Sequence, residues 1–168
     1  MNLLYNSTDA QILLTSNEGW GLSLTEAMLA GSPIIANVTG GMQDQMRFSD
    51  EYGRWFTPDD RIPSNHTGAY KDCGPWAFPV FPTSRSIQGS PQTPYIWDDR
   101  CNPEDAAKCL REFYDVGREE RKRLGSIGTK FFRENQMTAT AMADNFIKSM
   151  NTAFDNWKPR ERYNMVSI

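Results

Sequence analysis

A glycine-rich bend and a short helical segment separate two apolar runs near the start of the chain. The first run spans residues 9–15 and the second spans 33–36. Residues 22–30 have a helical composition and are followed by Gly31 and Pro33, which are typical of a helix C-terminus. Both runs are apolar on both faces, as are the strands of a parallel sheet covered by helices. The sequence therefore predicts a strand, helix, strand crossover in an open α/β sheet.

The middle of the chain predicts a further strand and then an irregular segment. Residues 53–56 form another apolar run, which indicates a short strand. Residues 61–101 contain six prolines together with many aromatic side chains. This composition predicts a packed, irregular excursion laid on the domain, with extended segments or a small hairpin. Residues 95–97 are its best strand candidate.

The C-terminal third predicts three helices over residues 102–157. The first begins with a cap at Asn102 and a proline at 103, and it ends at Gly117. The second follows directly, and the third starts at Thr138 or Thr140. The third helix carries an apolar stripe made of Met142, Phe146, Met150 and Phe154. We expect this stripe to lie in the core or at a domain contact.

Composition excludes several classes of function. A net charge of −3 and a sequence pI near 5.2 offer no dense basic face to nucleic acid or to an anionic membrane. No stretch approaches the roughly 18 apolar residues of a membrane span, and no secretory pattern opens the chain, so we expect a soluble, cytoplasmic protein. Three cysteines without close spacing and a single histidine favour neither disulfides nor a metal site. The length favours one domain over residues 1–168.

The bend between the first strand and the helix carries two carboxylates eight positions apart. Gly19 and Gly21 allow the backbone to turn tightly and to approach a ligand closely. The helix that follows offers unpaired N–H groups and a partial positive charge to a phosphate. Glu26 lies in or just after the first helical turn, where a glutamate taken alone is commonly a helix-terminal acid, and where it also suits an acceptor for paired ribose hydroxyls. Glu18, on the bend, is placed to meet a sugar.

A second glycine loop, Gly40-Gly41, follows the second predicted strand. The carboxyl ends of parallel strands lie on the same edge of the sheet, and ligands of open α/β sheets gather there. Both glycine bends therefore belong to one rim. Elsewhere, we expect His66 to be a surface or structural residue, Arg85 to lie in a flexible polar loop, and Arg100 to pair locally with Asp98 or Asp99.

Together these features make the chain resemble the nucleotide-sugar half of the retaining glycosyltransferases with two Rossmann-type domains, the family-4 or group 1 glycosyltransferases. The resemblance covers residues 3–60 well and the C-terminal helices loosely, whereas residues 61–101 depart from the family's short connection. The matching motifs are Glu18-Gly19-Trp20-Gly21-Leu22, Glu26-Ala27-Met28, Gly31, Pro33-Ile34-Ile35-Ala36, Gly40-Gly41 and Asp44.

The resemblance implies a partial Rossmann-like sheet with flanking helices and a metal-independent transferase without a cofactor. Its donor is a nucleoside diphosphosugar, its acceptor is a saccharide or another hydroxyl compound, and transfer retains the anomeric configuration. By the same resemblance, Glu18 is the catalytic candidate near the donor sugar. The donor-binding candidates are Gly19, Trp20, Gly21 and Leu22 near sugar and diphosphate, Glu26 on the ribose, and Gly40 and Gly41 on the rim.

Two departures from the family leave alternatives open. Family members carry an arginine and a lysine on earlier strands, and a whole acceptor domain before them, so we expect this chain to begin partway through the donor domain. A non-catalytic binding or assembly module derived from the fold is one alternative, and a nucleotide-sugar epimerase is another. The base, the donor sugar and the acceptor are not specified by the sequence.

The missing first strand generates a testable expectation. Residues 10–15 would then form an apolar strand edge without a partner, and such edges template pairing with other chains. We predict that the protein self-associates through this edge or aggregates. Size-exclusion chromatography at rising concentration measures this, and a clean monomer at high concentration would contradict the prediction.

Overall fold

The computed structural model describes residues 2–60, 62–63 and 65–159. It divides the chain into two compact units, one ending at Asn135 and the other beginning at Gln136. The first unit contains a sheet, a hairpin and most of the helices. The second contains one long helix.

A three-stranded parallel sheet forms the centre of the first unit. Its strands are β1 (Gln11–Leu13), β2 (Ile34–Asn37) and β3 (Ala77–Val80), in the order β1-β2-β3. Every residue of β2 is buried because this strand pairs on both sides and is covered on both faces. The predicted open parallel α/β sheet with flanking helices is confirmed, with β1 shorter than the apolar run of residues 9–15.

The third strand of the sheet comes from the segment predicted to be an excursion laid on the domain. Residues 77–80 instead join the main sheet, with Ala77 beside Ile34 and Val80 beside Asn37. Pro79 is tolerated because β3 is an edge strand and the proline needs no N–H on its outer side. The prolines around this strand concealed it in the sequence. The prediction that these residues lie on the domain, outside its main sheet, was wrong.

The helices of the first unit flank this sheet. Their bounds are α1 (Asn2–Tyr5), α2 (Leu22–Leu29), α3 (Met42–Met46), α4 (Pro103–Asp115) and α5 (Arg118–Glu134), with a short 3-10 helix at Pro58–Asp60. The helices predicted at 22–30 and from 103 onward are confirmed. Helix α5 approaches α2 closely because two glycines face it. A side chain at Gly125 would collide with the carbonyl oxygen of Gly31, and one at Gly128 with Met28.

Residues 53–56 do not form the predicted strand. The structure has only an isolated bridge between Ser49 and Trp55 there. The carboxylate of Asp50 accepts hydrogen bonds from the backbone N–H groups of Tyr52 and Arg54, at 3.0 and 2.9 Å, and folds the segment into a tight turn. The apolar character of the run serves an aromatic stack instead, in which Trp55 lies 5.2 Å from the Phe131 ring of α5.

The predicted small hairpin is confirmed within residues 61–101. It consists of β4 (Ser84–Ser90) and β5 (Thr93–Arg100), which pair in antiparallel register. The strand candidate at 95–97 lies in β5. Arg85 therefore belongs to a strand, and its assignment to a flexible loop was wrong.

The second unit is built on α6 (Ala139–Asn156). Thr138 caps it, because its hydroxyl accepts a hydrogen bond from the N–H of Ala141 at 3.2 Å. None of its side chains is buried, and Phe146 is 65% exposed. The placement of the apolar stripe in the core or at a domain contact stays a prediction. Within the described part of the chain, no helix has the length and hydropathy that crossing a membrane requires.

Candidate functional site

The bend after β1 is shaped by a glycine in the left-handed conformation. Gly21 has φ 80° and ψ 64° and is the N-cap of α2. Only glycine adopts this conformation without a steric cost. The residue is also buried, and a side chain there would meet Leu13 and Met42 at 3.2 and 3.3 Å. The local sequence thus ends the strand, reverses the chain and opens the helix within a few residues.

The two glycine bends pack backbone against backbone. A side chain at Gly40 would collide with the carbonyl oxygen of Glu18, and a side chain at Gly41 would collide with that of Gly19. The backbone of Gly40 also has a positive φ of 50°. The predicted shared rim is therefore observed as direct contact, and these glycines are required by packing within the protein.

A buried glutamine that sequence reasoning missed holds the bend in place. Gln45 of α3 is fully buried, and its side-chain amide donates hydrogen bonds to the carbonyl oxygens of Trp20 and Gly21, the latter at 3.3 Å. Its side-chain oxygen accepts from the hydroxyl of Thr25 at 2.8 Å, and that hydroxyl accepts from the indole N–H of Trp20 at 2.8 Å. Buried polar groups with all their partners fix geometry strongly.

The sequence carried one signal for this glutamine. Gln45 is a polar residue beside Met46 and one turn from Met42, both of which are fully buried. A polar side chain at such a position needs hydrogen-bond partners, and a neighbouring loop is the usual source. The sequence did not show which loop this is.

The two carboxylates of the motif have different surroundings. Glu18 is partly exposed and lies between the glycine bends, with its backbone against Gly40. Glu26 is the fifth residue of α2, just after the first turn, so the attraction of the helix N-terminus for its charge is weak there. Instead, the hydroxyl of Tyr5 donates a hydrogen bond of 2.7 Å to its Oε2. This hydrogen bond raises the pKa of Tyr5 above its usual value, and burial and the charge of Glu26 raise it further.

The hairpin is attached to the rim through Asp99, a second residue that sequence reasoning assigned only to a local ion pair. Asp99 is 2% exposed, and its carboxylate accepts hydrogen bonds from the Thr39 hydroxyl at 2.7 Å, from Arg85 Nε at 2.9 Å and from the Asn65 amide. Its N–H donates to the carbonyl oxygen of Ser16 at 2.8 Å. Thr39 precedes Gly40, so the hairpin is held at the same rim.

Asn37 at the end of β2 completes this attachment. Its side-chain amide donates to the carbonyl oxygens of Thr15 and Asp99, at 2.9 and 2.8 Å. Arg100 pairs with Asp98 at 3.6 Å, as expected for a local ion pair. The rim thus brings together the bend, the Gly40-Gly41 loop and the base of the hairpin.

His66 is a core residue. It is 6% exposed, and the rings of Phe48, Tyr70 and Phe81 surround it at centroid distances of 4.4, 5.1 and 5.6 Å. Its Nδ1 accepts a hydrogen bond from the N–H of Tyr70 at 3.4 Å, which leaves the proton of the neutral ring on Nε2. Burial lowers the pKa of His66 below its usual value. Of the two roles expected for His66, surface or structural, the structural role is confirmed.

Three clefts of the first unit lie away from this rim. The cleft of about 610 Å³ lies between the C-terminus of α2 and α5, that of about 540 Å³ lies along α4 and the start of α5, and that of about 520 Å³ lies around α1. None of them includes Glu18, Glu26 or the glycine bends. Within the described residues, no cluster of three or more acidic, histidine or cysteine side chains is arranged to hold a metal ion.

One comparison with known protein families finds a match in the part of the chain that forms the rim. Residues 1–61 match the family of glycosyl transferases, group 1. The group 1 match covers α1 through the short 3-10 helix, so it includes both glycine bends, Glu18 and Glu26 and is just over a third of the chain. It ends before the hairpin. No curated protein matches the chain.

The packing of the two bends can be tested with a matched pair of glycine substitutions. Gly41→Ala places a side chain against the carbonyl oxygen of Gly19, whereas Gly19→Ala meets nothing within 4 Å. We expect Gly41→Ala to lose about 1–3 kcal/mol of unfolding free energy, which is typical of overpacking, and Gly19→Ala to lose less than about 0.5 kcal/mol. Urea denaturation measures both. Equal stability of the two variants would contradict backbone packing at the rim.

The buried histidine gives stability a pH dependence. Burial lowers the pKa of His66 and keeps the ring neutral in the folded chain. Below the pKa of the unfolded state, the unfolded chain therefore binds a proton at this residue that the folded chain does not bind. Unfolding free energy should therefore fall as the pH drops below about 6.5, with a slope of at most about 1.4 kcal/mol per pH unit from this group. Denaturation curves of wild type and His66→Phe across this range measure it. The variant should have a flatter profile, and parallel profiles would disprove the assignment.

Proposed function

We propose that the rim of this chain binds a nucleoside diphosphosugar and that the protein takes part in a retaining glycosyl transfer. The observation that carries the proposal is the contact between the two glycine bends, which holds Glu18 at the carboxyl ends of β1 and β2. Ligands of open parallel sheets bind at this edge. The group 1 glycosyl transferase match over residues 1–61 supports the same reaction class.

In this proposal the start of α2 receives the diphosphate. The helix begins at Leu22 directly after Gly21, so its first backbone N–H groups lie at the rim. Such N–H groups carry partial positive charge and bind phosphate oxygens. They would stabilise the departing diphosphate while the sugar acquires oxocarbenium character, which is where electrostatic stabilisation acts on the transition state. Gly19, Trp20, Gly21 and Leu22 supply this backbone surface.

The two carboxylates then have separate tasks. Glu26 accepts hydrogen bonds from the ribose hydroxyls, and the hydroxyl of Tyr5 on its Oε2 orients the carboxylate for this. Glu18 lies on the bend beside Gly40, where it meets the sugar and its reacting end. Retention at the anomeric carbon follows from the resemblance of the motif to retaining enzymes.

The cofactor requirement, the remaining contacts to the donor, the acceptor and the cellular location are further parts of the proposal. No cofactor or metal is required, since backbone and side-chain donors stabilise the leaving group. The cations that clamp the diphosphate, and the residues that hold the base, are proposed to come from an additional domain or chain. The acceptor is a saccharide or another hydroxyl compound, and the protein acts in the cytoplasm.

Isothermal titration calorimetry with the uridine, guanosine and adenosine diphosphate forms of several hexoses tests the proposal. We expect one of them to bind, and Glu26→Gln to raise its dissociation constant by about tenfold or more because ribose hydrogen bonds are lost. Glu112→Gln is the matched control, since Glu112 is an exposed helical glutamate of α4. Absence of binding at millimolar ligand, or equal effects of both substitutions, would favour a non-catalytic module.

A further inference from the structure

One face of the hairpin exposes a group of apolar side chains. Ile87 of β4 pairs with Trp97 of β5, and alternate residues of a strand share a face, so Tyr95 lies on the same side. Ile87, Tyr95 and Trp97 are 54, 66 and 52% exposed. We name these three side chains the hairpin platform. A contiguous apolar patch of this kind on a protein surface is often a binding site.

The platform lies on the face of the hairpin that carries Asp99, the residue that attaches the hairpin to the rim. Asp99 lies two residues beyond Trp97 on the same face, and its carboxylate reaches the hydroxyl of Thr39, immediately before Gly40. The outer edge of β5 is bonded to the bend, because the carbonyl oxygen of Trp97 accepts from the Asn17 amide at 3.1 Å. Asn17 is the residue before Glu18. This hydrogen bond places the backbone of Trp97 next to the bend that carries Glu18, which is the proposed position of the donor sugar.

The platform is also held in a fixed arrangement. The guanidinium carbon of Arg85 lies over the Trp97 ring at 5.6 Å, and Arg85 is fixed by its ion pair with Asp99 at 2.9 Å. The Tyr95 ring lies against Gly89, where a side chain would come within 2.9 Å of it. Preorganised aromatic rings lose little conformational entropy when a ligand covers them.

We propose that the hairpin platform binds the saccharide acceptor by stacking a sugar ring on Trp97 and Tyr95. Pyranose rings present C–H groups on their faces and hydroxyls at their edges, and the C–H groups complement the negative face of an aromatic ring. A sugar stacked there has its edge hydroxyls beside the rim. The oxygen of one of them bonds to the anomeric carbon of the donor as the bond from that carbon to the diphosphate oxygen breaks, and the hydroxyl proton passes to the departing diphosphate oxygen. This proposal rests on the proposed transferase function and assigns the acceptor site to residues outside the group 1 match.

The size of the platform favours a saccharide over a protein partner. Two aromatic residues and one isoleucine, each between half and two-thirds exposed, offer roughly 400 Å² of surface. A stable protein interface needs about 800 Å² from each partner. A sugar ring needs only the area of one or two aromatic rings, which the platform provides.

Calorimetry with linear oligomers of glucose, mannose, galactose and N-acetylglucosamine tests the proposal. We expect at least one oligomer to bind wild type, and Trp97→Ala and Tyr95→Ala each to raise its dissociation constant by about tenfold. Trp97→Phe should keep most of the affinity because the ring is retained. Trp157→Ala is the matched control, since Trp157 is a 70% exposed tryptophan of the second unit. Circular dichroism and thermal midpoints establish that each variant folds.

The outcomes separate the platform from the proposed transferase function. Saccharide binding that depends on Trp97 supports the platform even if no diphosphosugar binds, in which case the transferase proposal fails alone. Donor binding without any saccharide binding, or saccharide binding that Trp97→Ala leaves unchanged, overturns the platform. The platform is equally overturned if sedimentation shows wild-type dimers that Trp97→Ala converts to monomers while saccharide affinity stays the same.

Discussion

The contact between two stretches of bare backbone determines the geometry of the rim. Gly40 and Gly41 lie directly on the carbonyl groups of Glu18 and Gly19, so the loop after β2 fixes the height and direction of the bend after β1. Any other residue would separate the two loops by at least the size of a methyl group. The side-chain amide of Gln45 then holds the bend by donating hydrogen bonds to its carbonyl oxygens. The proposed donor position is therefore set by main-chain packing and a buried hydrogen-bond network, which are rigid features.

The hairpin is attached to the same rim. It adds no strand to the main sheet and joins the rim mainly through Asp99 and Asn37. A buried carboxylate with three donors is an anchor with defined direction. This explains how a polar, two-stranded hairpin keeps one orientation without a hydrophobic core of its own.

The sequence predicted those parts of the fold that depend on local chemistry. The α2 helix, its glycine start, the buried β2 strand and the proline-initiated α4 all follow from residues adjacent to them. It failed where a distant partner decides the outcome. Residues 77–80 become a strand only because β2 offers them an edge, and residues 53–56 do not, because the Asp50 carboxylate turns the chain first. Gln45 and Asp99 act on loops 25 and 60 residues away, which no local pattern encodes.

Pro79 makes the two edges of the three-stranded sheet different. The carbonyl oxygens of Trp76 and Val80 accept hydrogen bonds from backbone N–H groups of residues 34 and 38. Because backbone groups alternate in direction along a strand, those of Pro79 face away from β2. Proline has no N–H there, and its carbonyl oxygen accepts a hydrogen bond from the Cys109 thiol of α4. The β3 side of the sheet is closed to further strands, and β1 is the edge at which backbone groups can still pair. A sheet with one open edge can join a second sheet but cannot propagate beyond it. Association of copies through the edges of this three-stranded sheet would stop at a two-fold pair and would not continue into a fibre.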